Sequence, residues 1–309
     1  MIQTHAVLQA LVDAAPGVTL TDSHTLYPEA RGDNLPLITL VNKACSATVA
    51  LHGAQLLSFT PAGGDDLLWL SPHCNFSSQG ALRGGIPLCL PWFGEHPSDT
   101  SKPKHGFARN QPWELTHISA ADSATDNAID SDTCELEFTL THSANTLFNH
   151  SFTAKLTMAL GRECSLALSL TNTSSSAFDC SWVMHTYFAI NDLDSVQVLG
   201  LENRDYLDKT QSNARFTQEG PVSFKGELDR VYEQINNPVH ISQRNITLTH
   251  QNCPSVVVWN PGATLAASIG DIGPGNERGF VCVERGACSG DAWHLGPNES
   301  LSASMNISV

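Results

Sequence analysis

Apolar and polar side chains alternate with a period of two along much of the chain. Leu136, Phe138 and Leu140 interleave with Glu135, Glu137, Thr139 and Thr141. Phe152, Ala154, Leu156, Met158 and Leu160 interleave with Thr153, Lys155, Thr157 and Ala159, and Leu166, Leu168 and Leu170 continue the pattern. The C-terminus repeats it with Leu301, Ala303, Met305, Ile307 and Val309. Such alternation puts the apolar residues on one face of a strand. Only residues 5–15 read as an amphipathic helix, and a short one. Turn residues punctuate the runs at Pro61-Ala62-Gly63-Gly64-Asp65, Asn236-Asn237-Pro238 and Gly273-Pro274-Gly275-Asn276. The polar stretch 119–133 predicts a surface loop between two strands, and no fixed-period repeat is found. The pattern predicts an all-β sandwich or barrel of antiparallel sheets. A single domain over residues 31–309 is expected, preceded by an N-terminal extension of residues 1–30 in which the short helix would fall.

Composition narrows the partners. The 309 residues carry a formal charge of −15, which argues against nucleic acid and against an anionic membrane surface. A small anion stays compatible, because a local Arg cluster can outweigh the global charge. Hydrophobic residues make up 41%, enough for a sizeable core. The nine cysteines are odd in number and lack Cys-x-x-Cys spacing, so neither a disulfide framework nor a zinc site is indicated. Buried free thiols in a reducing compartment are expected. With no signal-like or membrane-length apolar run, the expected location is cytoplasmic.

Three segments could carry chemistry. Between residues 82 and 115 alternation fails, and Arg83-Gly84-Gly85-Ile86-Pro87, Pro91-Trp92-Phe93-Gly94 and His105-Gly106-Phe107-Ala108-Arg109 follow closely. Glycines there could let a ligand approach the backbone, and Trp92 and Phe93 could stack on a sugar ring or simply fill the core. His185 stands among large apolar residues, as either a hydrogen-bonded core imidazole or a group titrating near neutral pH. Glu284 ends the apolar run Phe280-Val281-Cys282-Val283, as either a strand end reaching water or a buried carboxylate in use. The segments 205–209 and 226–232 mix acid, base and Tyr, which suits sugar hydroxyls and solvated turns alike. No phosphate-binding Gly-Lys-Ser/Thr loop, Gly-x-Ser-x-Gly elbow or His-Glu-x-x-His helix occurs, and no acid or Cys set completes a metal site around His96 and His105. No metal and no cofactor are expected.

Taken in order, Arg-Gly-Gly-Ile-Pro at 83–87, Pro-Trp-Phe-Gly at 91–94, His-Gly-Phe-Ala-Arg at 105–109, His-Thr-Tyr-Phe at 185–188, Asp-Arg-Val-Tyr at 229–232, Val-Trp-Asn-Pro at 258–261 and Val-Cys-Val-Glu at 281–284 resemble the glucose-6-phosphate 1-epimerase branch of the aldose 1-epimerase superfamily. Gly262 and the stretch 285–288 fall outside the likeness. The resemblance implies a galactose-mutarotase-like β-supersandwich and interconversion of the anomers of a hexose 6-phosphate without metal or nucleotide. It implies His185 as acid, Glu284 as base and His105 as a supporting histidine. It also implies Asp229 as a sugar-binding acid, with Asp208 as the alternative, and Arg83 and Arg109 as phosphate-binding cations. A monomer acting on a small phosphosugar is expected. The competing readings are an epimerase of unphosphorylated hexoses and a carbohydrate-binding protein of the same fold without catalysis.

Overall fold

The computed structural model describes residues 3–120 and 132–309. Among them the strands form a four-stranded, a nine-stranded and an eight-stranded sheet and two small two-stranded pairs. Every pairing in the three large sheets is antiparallel. The all-β expectation therefore holds. No helix of the described residues is long and apolar enough to cross a membrane.

The alternating segments become the strands of the nine-stranded sheet. Cys134–His142, Phe152–Leu160, Cys164–Asn172 and Ser300–Ser308 lie side by side. Their register sets Leu156 opposite both Phe138 and Leu168, so one face is a continuous apolar layer. Thr153, Lys155 and Thr157 point the other way, half-buried or exposed, as expected of an antiparallel sheet with one wet face. One large apolar cluster draws on all three large sheets and on Leu8 and Val12 of the helix His5–Asp13.

Residues upstream of 31 are built into the fold. Val18–Asp22 pairs residue for residue with the strand Pro36–Val41, so this part of the extension is an edge strand of the four-stranded sheet rather than an appendage. Of the loop expected over 119–133, residues 121–131 lie outside the described residues, and Ser119 and Ala120 close the strand Glu114–Ala120. The nine cysteines are all buried and free.

The eight-stranded sheet positions the candidate site. Its central strands are Leu228–Tyr232, Ser255–Asn260 and Phe280–Ala287. Val256, Val258, Val281, Val283 and Tyr232 of these strands join the main core. By the two-residue period, Asp229, Val257, Trp259, Cys282 and Glu284 belong to the opposite face. Arg285 follows the core-side parity. It is fully buried, and its guanidinium donates to the Ile235 and Asn237 carbonyls at 2.8 and 2.7 Å, tying down the turn at 236–238.

Candidate active site

Glu284 sits in the middle of the strand Phe280–Ala287, not at its end. Its residue is 1% exposed, and its Oε1 lies 3.3 Å from His185 Nδ1. His185 comes from the short connection between the strands Trp182–Met184 and Tyr187–Ala189, both of which pair with the Glu284 strand. Its backbone N–H donates to the Pro87 carbonyl at 2.9 Å. The imidazole stacks on Tyr187, with centroids 4.8 Å apart and planes 12° from parallel, and meets Trp259 edge-on at 5.8 Å. The ring can therefore move little.

His105 closes the opposite side, its ring centroid 5.7 Å from that of His185. Its backbone is left-handed, with φ 66°. A reciprocal contact with Gly94 holds it there. The His105 N–H donates to the Gly94 carbonyl at 2.7 Å, and the Gly94 N–H donates to His105 Nδ1 at 3.3 Å. A ring that accepts at Nδ1 carries its hydrogen on Nε2 and is a donor there. Gly106 follows with φ 69°, where a Cβ would stand 2.0 Å from the Leu90 carbonyl oxygen. Likewise a Cβ on Gly85 would meet the Leu56 carbonyl oxygen at 2.1 Å. These glycines thus accommodate neighbouring backbone, where the sequence suggested the approach of a ligand.

Together with Arg83, Phe93, Lys104, Arg109, Lys209, Asp229, Val257, Trp259 and Ile269, these three residues line a cavity of about 320 Å³. The structure therefore brings together seven of the eight residues singled out in the sequence, and Trp92 is the exception. Its indole donates to the Pro103 carbonyl at 2.9 Å and packs on Phe107 in the main core, so it takes the core role. Phe93 does reach the cavity, but Lys209 Nζ lies over its ring at 4.7 Å and the His105 ring meets it at 5.0 Å. That face of Phe93 steers a cation rather than a sugar. Asp229 lines the cavity. Asp208 instead accepts from Thr210 N and Gln211 Nε2, both at 3.0 Å, and caps the turn that presents Lys209.

The cations differ in how far they are already engaged. Arg83 Nε is 3.1 Å from Asp271 Oδ1, and its Nη1 donates to the Tyr187 hydroxyl at 2.8 Å. Lys209 lies 3.7 Å from Asp229, and Lys104 lies 2.9 Å from Glu95. Arg109 donates to the Lys104 carbonyl at 3.1 Å and has no carboxylate partner among the described residues. Sequence reasoning missed Lys209 as an individual site residue, and also missed Asp271, which neutralises Arg83 from far along the chain. The Asp-Lys end of the segment 205–209 was the available signal for the first.

Burial dominates the electrostatics. It pushes the Glu284 carboxyl well above the usual carboxylate range, with Asp229 adding to the effect. It holds His185 well below an ordinary imidazole, helped by the Arg109 and Arg83 charges, and does the same to His105. The roles that the resemblance implies, His185 as acid and Glu284 as base, call for an imidazolium beside a carboxylate. Burial opposes both charges and favours the neutral carboxyl and neutral imidazole. The arrangement presents two adjacent proton-transfer groups to a ligand in the cavity.

Known proteins offer four comparisons. The sequence model of the family described as aldose 1-epimerase matches residues 36–308. A protein of Escherichia coli K12 provisionally named glucose-6-phosphate 1-epimerase is 36% identical over 260 residues, covering 82% of this chain and 83% of its own. A crystal structure of a provisionally named mutarotase from Salmonella typhimurium superposes with a TM-score of 0.79 at 30% identity, covering 89% of this chain and 90% of that one. A galactose mutarotase-like protein from Clostridium acetobutylicum shares the fold at 15% identity, with a TM-score of 0.66 and coverage of 94% and 98%.

Proposed function

Because this chain belongs to the aldose 1-epimerase family, we propose that it interconverts the α and β anomers of a hexose 6-phosphate, glucose 6-phosphate foremost, by acid–base ring opening and closing at C1. The observation that carries this reading is the buried His185–Glu284 pair at 3.3 Å, open to a cavity that also presents Arg83, Lys104, Arg109 and Lys209. The pair suits proton transfer at a sugar, and the cations suit a phosphate. The setting this reading assumes is a monomer in a reducing cytoplasm, in keeping with nine buried free thiols.

In the ring-opening step Glu284 takes the proton of the C1 hydroxyl as His185 gives one to the ring oxygen. The C1–ring oxygen bond breaks and an aldehyde forms. Rotation about C1–C2 turns the aldehyde face, and the reverse transfers close the ring as the other anomer. Opening starts from carboxylate and imidazolium and leaves carboxylic acid and neutral imidazole. That neutral form is the one burial favours, so the pair is best matched to the open-chain sugar. One proton shuttles within the pair, and none need be exchanged with solvent. His105 donates from Nε2 to a reacting or neighbouring oxygen, and Asp229 accepts from sugar hydroxyls. Each positioned transfer contributes about 10²–10⁴-fold.

The test compares anomer exchange of glucose 6-phosphate and of glucose by NMR at matched enzyme. Acceleration of the phosphosugar well beyond the free sugar is expected. Equal acceleration of both would replace this reading by an epimerase of free hexoses, and no acceleration of either would leave a binding protein.

A further inference from the structure

Beside two of the cavity-lining residues lies one buried chemical group that the reaction above does not use. Cys282 lies two residues before Glu284 on the same strand and on the same face, fully buried. Its Sγ, the Glu284 carboxylate and a ring nitrogen of His185 all lie within 4.8 Å of one another. Among the described residues Glu284 Oε2 has no hydrogen-bond partner, and His185 Nδ1, although 3.3 Å from Glu284 Oε1, makes no hydrogen bond of regular geometry, in residues only 1% and 7% exposed. Buried polar atoms are nearly always satisfied, and exceptions call for an unfilled partner or a catalytic role. Proton transfer needs His185 and one carboxylate oxygen. It does not account for the second oxygen or for a thiol beside both.

We propose that this corner of the cavity is also a binding site for a thiophilic divalent cation of the zinc class, held by Cys282 Sγ, the Glu284 carboxylate and His185 Nδ1, and that its occupation switches epimerisation off. Sulfur and imidazole donors select zinc-like ions over magnesium or calcium, which need mostly oxygen. With bonds of about 2.0–2.3 Å, tetrahedral donors stand roughly 3.3–3.8 Å apart. The His185–Glu284 separation of 3.3 Å already meets this. Cys282 Sγ, within 4.8 Å of both other donors, has at most about 1.5 Å to close, within the reach of a rotamer adjustment.

The charge balance favours the same ion. A thiolate, a carboxylate and a neutral imidazole around a divalent cation sum to zero, so the complete set suits a buried site. Binding forms the metal–sulfur, metal–oxygen and metal–nitrogen bonds. It releases the thiol proton and the carboxyl proton to solvent, and nothing is oxidised or reduced. Inhibition follows because both proton-transfer groups are then tied to the metal. Only this inhibitory half rests on the reaction proposed above.

The test uses the full chain with Co²⁺ as a spectroscopic probe and Zn²⁺ as competitor and inhibitor. Titration with Co²⁺ is expected to raise a thiolate-to-cobalt charge-transfer band with tetrahedral d–d bands, bleached by one equivalent of Zn²⁺. Cys282→Ser is expected to abolish the band and to keep metal-free anomer exchange of glucose 6-phosphate. It should also weaken Zn²⁺ inhibition by more than about 100-fold, beyond what losing an outer partner of a metal site costs. Cys282→Ala, with no side chain to ligate, repeats the measurement if the Ser variant fails to fold. Absence of the band overturns the proposal, as does a band that survives both variants or equal Zn²⁺ inhibition of variant and wild type. A Cys282-dependent band in a protein that never accelerates anomer exchange keeps the metal site and removes the epimerase reading.

Discussion

Substituting Arg109 by Met tests how the cavity recognises a phosphate. Arg109 is the cavity cation with no carboxylate partner among the described residues, so its charge is the most available to a ligand. A guanidinium can place two parallel N–H bonds on phosphate oxygens. Each hydrogen bond to a charged group contributes about 1.5–3 kcal/mol, and the open cavity favours the lower end. A loss of about 3 kcal/mol in total corresponds to roughly 100-fold in kcat/KM. Free glucose lacks the phosphate and should lose less than about threefold, within the scatter of uncoupled substitutions. Arg83 gives the internal control. Its charge is already met by Asp271 at 3.1 Å, so Arg83→Met should cost phosphate selectivity no more than about 10-fold. It should also lower stability by about 1–2 kcal/mol, because Asp271 and the Tyr187 hydroxyl lose their partner. The assay is anomer exchange of glucose 6-phosphate and glucose under saturation-transfer NMR, with each kcat/KM expressed as a ratio. The reasoning is refuted if Arg109→Met lowers both substrates equally, or if Arg83→Met is the more phosphate-selective variant.

Other outcomes follow from packing and burial. Leu156→Ala, in the middle of the nine-stranded sheet and opposite Phe138 and Leu168, should destabilise by about 3–4 kcal/mol in urea unfolding. Lys155→Ala next to it removes only the exposed pair with Glu137 and should change stability by less than about 1 kcal/mol. Gly106→Ala forces a Cβ into the Leu90 carbonyl beside His105, so either folding yield or kcat should collapse, whereas Gly220→Ala, with open space around it, should leave kcat unchanged. His250 is held at about 4 by burial and by the Arg285 charge, so the folded protein resists a proton that the unfolded chain accepts below about pH 6.5. Its contribution is complete above that pH and is lost as the pH falls toward the folded value. Because His250 is only half-buried, the loss should be about 1 kcal/mol, and His250→Gln should flatten that slope in unfolding midpoints measured across the range.

Much of the fold was legible because strand alternation is local. Phe152–Leu160 buries every second residue as its sequence announced. The edge strand Val18–Asp22 was not legible, since its partners Pro36–Val41 supply the reason for its structure. The site divides in the same way. His105, His185, Arg83, Arg109 and Glu284 stood out as polar residues in apolar or irregular company, Asp229 was singled out only by the family likeness, and a cavity gathers them all. Trp92 and Phe93 looked alike as neighbours, yet one turns into the core and the other toward Lys209, and no local pattern separates them. Asp271 pairs with Arg83 across almost two hundred positions of sequence, which only the fold could bring together. Gly262 and Arg285, outside the family likeness, have structural uses. Gly262 has φ 61° and allows no Cβ beside the Glu227 backbone, and Arg285 anchors a turn from within the core.

The central claim is that the buried Glu284–His185 pair moves the proton that opens the sugar ring. The most direct measurement is the exchange rate between the α and β anomers of glucose 6-phosphate for wild type, Glu284→Gln and His185→Ala. Burial raises the Glu284 carboxyl well above the usual range and so favours its neutral form, and a near-isosteric neutral amide in its place should leave the unfolding midpoint nearly unchanged. Catalysed exchange should nevertheless fall by about 10²–10⁴-fold in each variant. Exchange at the wild-type rate in folded Glu284→Gln and His185→Ala would contradict the account.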